Sequence, residues 1–157
     1  IKVNELGLVF VELLTKAHFT GPQPELSGIQ RRVFSSLTWG KMTSANKEIL
    51  FKEISLGMFK TDRVAIDPLL GIERSSNRYL GWIADELNSG ALMYEITKGK
   101  ELVGFFLIRK ENSNSSNAIL AGLLDKYQKS GFGFVLNHLQ IEISNERELI
   151  KELNKIF

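Results

Sequence analysis

The sequence contains no cysteine and only two histidines, and both shortages exclude kinds of chemistry. Without cysteine there is no disulfide framework, no thiol nucleophile and no thiolate ligand for a metal. His18 and His138 are isolated in the sequence, whereas zinc is held by several His, Cys or acidic ligands at short spacings. We therefore expect no metal cofactor.

A large excess of one charge is also missing. The chain carries 20 Lys and Arg against 18 Asp and Glu, a net charge of +2, while surfaces for nucleic acid or anionic membranes usually show a larger basic excess. The longest apolar runs, such as residues 102–108, are far shorter than the ~20 residues that span a bilayer. We predict no nucleic-acid partner and no membrane partner. Nothing at the start resembles a signal peptide, so the expected location is cytoplasmic.

The composition is that of a globular protein. Of the 157 residues, 43% are hydrophobic and 24% are charged, which fits one domain with enough apolar residues for a core. We therefore predict a single domain over residues 1–157.

Hydrophobic periodicity and turn residues divide the first ninety or so residues into elements. Thr43 or Ser44 would cap the second helix, with Leu50, Ile54 and Met58 on its inner face. The predicted elements are a strand over 6–13, a loop over 19–28, helices over 29–37, 45–58 and 76–88, and a polar turn segment over 60–68.

The pattern then changes to that of strands. Residues 91–97 and 101–110 flank a Lys-Gly-Lys turn and predict a β-hairpin, and residues 118–124 predict a third strand after a polar loop over 111–117. The second strand is apolar on both faces, which is typical of a strand covered by helices on both sides. Gly104 within it predicts a bulge or a close backbone approach. The fold class is therefore α/β (α+β), with a central, mostly antiparallel sheet and helices on both faces.

Two interpretations remain for the last residues. After a helix that opens at Phe132, the segment 137–157 fits one helix leading to a truncated strand. It also fits a short helix, a strand over 140–144 and a last helix over 146–156.

The segment Gln128-Lys129-Ser130-Gly131-Phe132-Gly133 lies between an apolar strand and an apolar helix. The first turn of a helix leaves backbone N–H groups unpaired, and glycines allow an anion to approach them. Lys129 and Ser130 would add a charge and a hydroxyl. A Q-x-x-G-x-G string alone is a weak signal, expected by chance in roughly one in thirty sequences of this length, but its place between strand and helix strengthens it. It is neither a Walker A loop nor a Rossmann fingerprint.

Strand, Tyr127-Gln128-x-x-Gly131-x-Gly133 and helix together resemble the acetyl-coenzyme A signature of the GNAT acyltransferase superfamily. More narrowly, Asp62-Arg63-x-x-x-Asp67-Pro68, then Arg78-Tyr79-x-x-Trp82-Ile83 and the hairpin are similar to bacterial nucleotide-linked amino-sugar N-acetyltransferases, such as the TDP-fucosamine acetyltransferases. The resemblance covers residues 59–133, so residues 1–58 would be a divergent N-terminal part and 59–157 the family-like part.

The resemblance implies acetyl-CoA as co-substrate and direct attack of a primary amine on the thioester. The diphosphate would bind the loop from Gln128 to Gly133, and the pantetheine arm would pair with the strand end from Leu123 to Asp125. The acceptor would be a small-molecule amine, with a nucleotide-linked amino sugar favoured, and a homodimer is left open. Relative to that superfamily, the fold would be C-terminally incomplete, which puts catalytic competence in question. The alternative is therefore a non-catalytic CoA-binding or protein-interaction module that retains the fold.

Four further residues are candidates for catalysis or acceptor binding. Glu95, on the first hairpin strand, would be a general base if buried, or an ordinary surface glutamate. Asp62, Arg63 and Asp67 lie in a segment predicted as loop, where Arg63 would pair with a substrate phosphate. An ordinary salt-bridged turn is the alternative for these three.

Overall fold

The computed structural model describes residues 18–112 and 115–145, which form five helices, four strands and a short 3₁₀ turn. The predicted strand over 6–13 and the predicted last helix over 146–156 lie outside the described residues. In chain order the elements are α1 (Gly28–Ser35), β1 (Thr38–Lys41), α2 (Ser44–Ser55), α3 (Arg63–Ile66), α4 (Gly71–Asn88), β2 (Leu92–Lys98), β3 (Glu101–Asn112), β4 (Ser115–Leu123), the 3₁₀ turn (Asp125–Tyr127) and α5 (Gly133–Asn145).

The four strands form one sheet in the order β1-β2-β3-β4, with every neighbouring pair antiparallel. The predicted hairpin is β2–β3, and the predicted third strand is β4, which pairs antiparallel with β3 as expected. In the middle of the sheet Tyr94, Phe106 and Ala121 lie side by side on three strands. The predicted hairpin and the predicted third strand are therefore confirmed.

Gly104 lies where β3 and β4 approach each other closely. An ideal Cβ on this residue would be 2.6 Å from the carbonyl oxygen of Gly122 and 2.9 Å from Leu123 Cδ2. The β2–β3 register also shifts here, because Ile96 lies opposite Gly104 but the next residue, Thr97, lies opposite Leu102. The predicted close approach and the bulge both occur.

Each face of the sheet is covered by helices, and β3 contributes buried residues to both sides. Phe106 and Ile108 pack on the side of α5 and α1, and Phe105 and Leu107 pack on the side of α2 and α4. The helices bury Val135, Leu139 and Ile143 from α5, and Leu50, Ile54 and Ile83 from α2 and α4. The predicted fold class, a central antiparallel sheet between helices, is confirmed.

The predicted N-terminus of the second helix is also confirmed. The Thr43 hydroxyl accepts a hydrogen bond from the Asn46 N–H and caps α2. Leu50 and Ile54 are fully buried, as the inner-face prediction requires. The helix ends at Ser55 rather than Met58, and Gly57 then takes a positive φ of 92°.

One of the two interpretations of the segment after Phe132 is wrong, and so is the predicted loop over 111–117. Residues 140–144 are not a strand, because Leu136, Leu139 and Ile143 recur at helical spacing toward the core and hold this segment in α5. Most of the predicted loop over 111–117 is strand, since Asn112 already pairs with Ser115. In both segments local residue preferences yield to tertiary packing.

Two short elements and one helix boundary also differ from the prediction. The sequence pattern does not reveal β1, because four residues are too few to show an alternation of apolar and polar side chains. This strand is held in place by its pairing with β2. The polar segment 60–68 contains α3, which Asp62 caps. The helix α4 starts at Gly71, five residues before the predicted start. The sequence pattern missed the first turn because most of its residues are polar. Among the described residues, no helix is both long and apolar enough to cross a membrane.

Candidate functional site

The loop between β4 and α5 is an exposed turn that leads directly into a helix. After the 3₁₀ turn, Gly131 takes a φ of +79°, a conformation that favours glycine, and α5 begins two residues later at Gly133. Lys129, Ser130, Gly131 and Gly133 are exposed, whereas the Phe132 side chain is buried in the core. The aromatic side chain therefore anchors the loop and leaves its backbone at the surface.

The loop leaves several of its own donors unused. The Ser130 N–H donates to the Tyr127 carbonyl at 3.1 Å. Across the described part of the chain, the N–H groups of Gly131, Phe132 and Gly133 meet no oxygen at hydrogen-bonding distance and angle. An ideal Cβ on Gly131 or Gly133 would also meet no atom within 4 Å. The backbone donors are thus unobstructed, which suits binding of a phosphate group.

A carboxylate on the neighbouring strand fixes the start of the loop. Glu101, the first residue of β3, accepts hydrogen bonds from Lys126 Nζ at 2.6 Å and from the Tyr127 hydroxyl at 2.5 Å. These two donors hold the pKa of the Glu101 carboxyl below its usual value. The hydrogen bond between Tyr127 and Glu101 also raises the pKa of the Tyr127 hydroxyl. The β2–β3 turn and the loop are thereby connected.

A groove of about 300 Å³ opens next to the loop. One wall is the segment after α2 and the other is the end of β4 together with Gln128. The lining residues are Met58, Phe59, Lys60, Thr61, Ala121, Gly122, Leu123 and Gln128. Leu123 and Gln128, both predicted to bind the cofactor, therefore lie at one groove.

Asp62 is engaged inside the protein. Its side chain accepts hydrogen bonds from the Val64 N–H at 3.2 Å, from the Ser75 hydroxyl at 2.8 Å and from Arg78 at 2.9 Å. Burial alone would raise the pKa of the carboxyl, but the hydrogen bonds from Ser75 and Arg78 and the charge of Arg78 outweigh it and lower the pKa. The contacts of Asp62 connect α3 with α4, and its predicted acceptor binding stays a prediction.

Asp62→Asn should lower the free energy of unfolding by about 2 kcal/mol at pH 7, since it removes a charge-assisted hydrogen bond in a nearly buried network. The pKa of Asp62 is lower in the folded protein than in the unfolded chain, where it is about 3.9. The ionised carboxylate therefore contributes its full stabilisation above the unfolded pKa, and this contribution is lost as pH falls through the native pKa. Urea unfolding at pH 7 and pH 3 should therefore show a smaller difference from wild type at pH 3. Asp85→Asn, on the exposed side of α4, is the control, and a pH-independent deficit would contradict the assignment.

The other two predicted acceptor-binding residues flank α3. Arg63 is its exposed first residue, two positions after Thr61 of the groove. The Asp67 carboxylate accepts a hydrogen bond from the Leu69 N–H at 2.8 Å and stabilises the turn that leads to α4. Arg63 is therefore an exposed residue close in sequence to the groove, and Asp67 has a local structural contact.

Glu95 lies on β2, in one row with Phe105 and Gly122 across the sheet. Its Oε2 accepts hydrogen bonds from the Thr43 N–H at 2.8 Å, the Thr43 hydroxyl at 3.0 Å and Asn46 Nδ2 at 3.0 Å. Glu95 thus ties the N-terminus of α2 to the sheet, and its role as a general base stays a prediction.

Sequence reasoning missed Glu101, Phe59 and Lys60. The antiparallel register signals Glu101, because the start of β3 must lie beside the end of β4. Phe59 and Lys60 carry no comparable signal, since they reach the groove only through the packing of α2 on the sheet. Within residues 18–112 and 115–145, no three His, Asp or Glu side chains are grouped as a metal site would require.

No protein-family model matches the sequence, and no curated protein matches it. Among solved structures, a spermidine N-acetyltransferase from Vibrio cholerae, in complex with CoA and spermine, is similar with a TM-score of 0.45 and 15% identity. The match covers 70% of this chain and 64% of that one, so this chain spans less than two thirds of that structure. Similarity of this degree assigns neither a family nor an activity to the chain.

Proposed function

We propose that this chain is an acetyl-CoA-dependent N-acyltransferase of the GNAT type, whose loop from Gln128 to Gly133 binds the diphosphate of CoA. The observation that carries the proposal is the set of unobstructed N–H groups at Gly131, Phe132 and Gly133 next to a groove. Backbone donors of this kind suit the several oxygens of a diphosphate, and Lys129 adds a positive charge.

The pantetheine arm would run along the outer edge of β4. The Leu124 N–H donates to the Val103 carbonyl on β3 at 2.9 Å. Because the backbone groups of an antiparallel strand alternate in direction, those of Leu123 should point to the open side. Among the described residues no further strand pairs with that side. The backbone of Leu123 can therefore pair with the amide groups of the arm, whereas Asp125 lies in the 3₁₀ turn and its carbonyl accepts from the Gln128 N–H.

The reaction would be direct transfer. The acceptor amine attacks the thioester carbonyl carbon, the C–S bond breaks, the amine nitrogen loses a proton, and CoA leaves as a thiol after protonation. Glu95 is the candidate base through Oε1, since its Oε2 is engaged at the N-terminus of α2.

For the acceptor we propose an amine on a nucleotide-linked sugar. Arg63 would pair with its phosphates, because an exposed arginine two positions after a groove residue suits bidentate recognition of phosphate. The positive charge of Arg63 favours an anionic acceptor over a polycationic one.

The test combines calorimetric titration of acetyl-CoA with measurement of thiol release over a panel of amines. We expect acetyl-CoA to bind and an amino-sugar nucleotide to be the best acceptor. Arg63→Ala should raise the acceptor KM about tenfold with acetyl-CoA binding unchanged, because the proposed phosphate contact belongs to the acceptor and not to the cofactor. Arg32→Ala, on α1 at the opposite face of the sheet, is the matched control. Binding without turnover of any amine would assign the chain to a non-catalytic CoA-binding module, and an absence of binding would reject both the enzyme and that module.

A further inference from the structure

Lys60 and Asp125 join the two walls of the groove. Lys60 belongs to the wall that follows α2, and its ammonium group forms an ion pair with Oδ2 of Asp125. Asp125 follows β4, whose last residues form the opposite wall. The ion pair therefore connects one side of the groove to the other.

The other oxygen of the same carboxylate has a donor as well. Gln128 Nε2 donates to Asp125 Oδ1 at 2.9 Å. Lys60 and Gln128 both line the groove, so an ammonium group and an amide from opposite walls hold the two oxygens of one anionic group. Such a pair of donors suits a phosphate as well as a carboxylate.

We propose that Lys60 and Gln128 form an anion subsite of the groove, which Asp125 occupies in the free protein and from which a diphosphate displaces it. The identity of the ligand rests on the proposed function, whereas the subsite rests on these three side chains. Lys60 and Asp125 are 57% and 40% exposed, and ion pairs this open contribute little and separate easily. A diphosphate carries more negative charge than one carboxylate, which favours the exchange.

Asp125 therefore acts as an internal competitor for the ligand. Its charge occupies Lys60 and also repels a diphosphate at the loop, whose open N–H groups start six residues later at Gly131. Removing that charge should strengthen binding even though the residue lies within the site.

The experiment is calorimetric titration of CoA and, separately, of inorganic pyrophosphate into wild type, Asp125→Asn, Lys60→Met and the double variant. We expect Asp125→Asn to bind both ligands about three- to fivefold more tightly and Lys60→Met to bind them more weakly by a similar factor, the range typical of exposed charge pairs. In the Lys60→Met background, Asp125→Asn should give a clearly smaller gain. Asp85→Asn removes the same charge near the C-terminal end of α4, and its affinities should match wild type.

The outcomes separate this inference from the proposed function. If wild type binds CoA but Asp125→Asn binds it no more tightly, the subsite is wrong and the proposed function stands. Equal gains in Asp125→Asn and Asp85→Asn would also overturn the subsite, because they would show only an effect of net charge. If pyrophosphate gives the expected pattern and CoA does not bind, the subsite is supported and the proposed function fails. Binding of neither ligand would overturn both.

Discussion

Gly104→Val should lower the free energy of unfolding by about 3 kcal/mol, at the upper end of the usual cost of overpacking a core. The reason is that its Cβ would lie 2.6 Å from a backbone atom, the Gly122 carbonyl oxygen, and two hydrogen-bonded strands cannot move apart as easily as a flexible side chain can. In a thermal scan the midpoint should fall by roughly 10 °C for a domain of this size.

Gly40→Val is the matched control for this effect. Gly40 is also a strand residue, but an ideal Cβ there meets nothing within 4 Å. Valine suits a strand, so this variant should be as stable as wild type or slightly more stable. Similar losses at Gly104 and Gly40 would show that the close approach to Gly122 is not the cause.

Gly133→Val should weaken CoA binding about a hundredfold, because hydrogen bonds to a charged ligand contribute roughly 1.5–3 kcal/mol and the branched side chain would cover the donors. Gly133 is the first residue of α5 with open space around it, so the substitution should leave the fold intact. Gly131→Val is a poorer test, since its φ of +79° would strain any side chain and combine a folding defect with a binding defect.

Gly28→Val is the matched control for CoA binding. Gly28 is likewise the first residue of a helix with nothing within 4 Å of its Cβ, but α1 lies away from the groove. Isothermal titration of CoA should give wild-type affinity for this variant. Unchanged affinity in Gly133→Val, with both variants folded by circular dichroism, would exclude the loop as the diphosphate site.

The sheet was predictable because its signals are local. The residues around Phe105 and Phe106 form a strand that is apolar on both faces, and the glycine-containing turn after Lys98 gives the hairpin. The loop from Gln128 was predictable as a turn, because glycines between a strand and a helix indicate a change of chain direction. The segment with Ile141 and Ile143 misled, since alternating apolar residues also fit a helix whose inner face includes Leu139.

The surroundings of the loop could not be predicted in the same way. Lys60 and Asp125 are far apart in the sequence. They meet only because α2 packs on the sheet that contains β4. Asp62 resembled a substrate-binding residue in a polar loop, and only the position of Ser75 on α4 shows that its carboxylate points inward. Contacts of this kind depend on tertiary packing, which a single sequence pattern does not contain.

The short strand β1 has a consequence for the order in which the chain folds. The strands β2, β3 and β4 pair with neighbours that follow directly in sequence, whereas β1 pairs with a strand roughly fifty residues away, across α2, α3 and α4. Contacts that close long loops form late, because the lost chain entropy precedes the gain in contacts. The three-stranded meander should therefore assemble first, and the four residues Thr38–Lys41 should join it last and be the first part of the sheet to open.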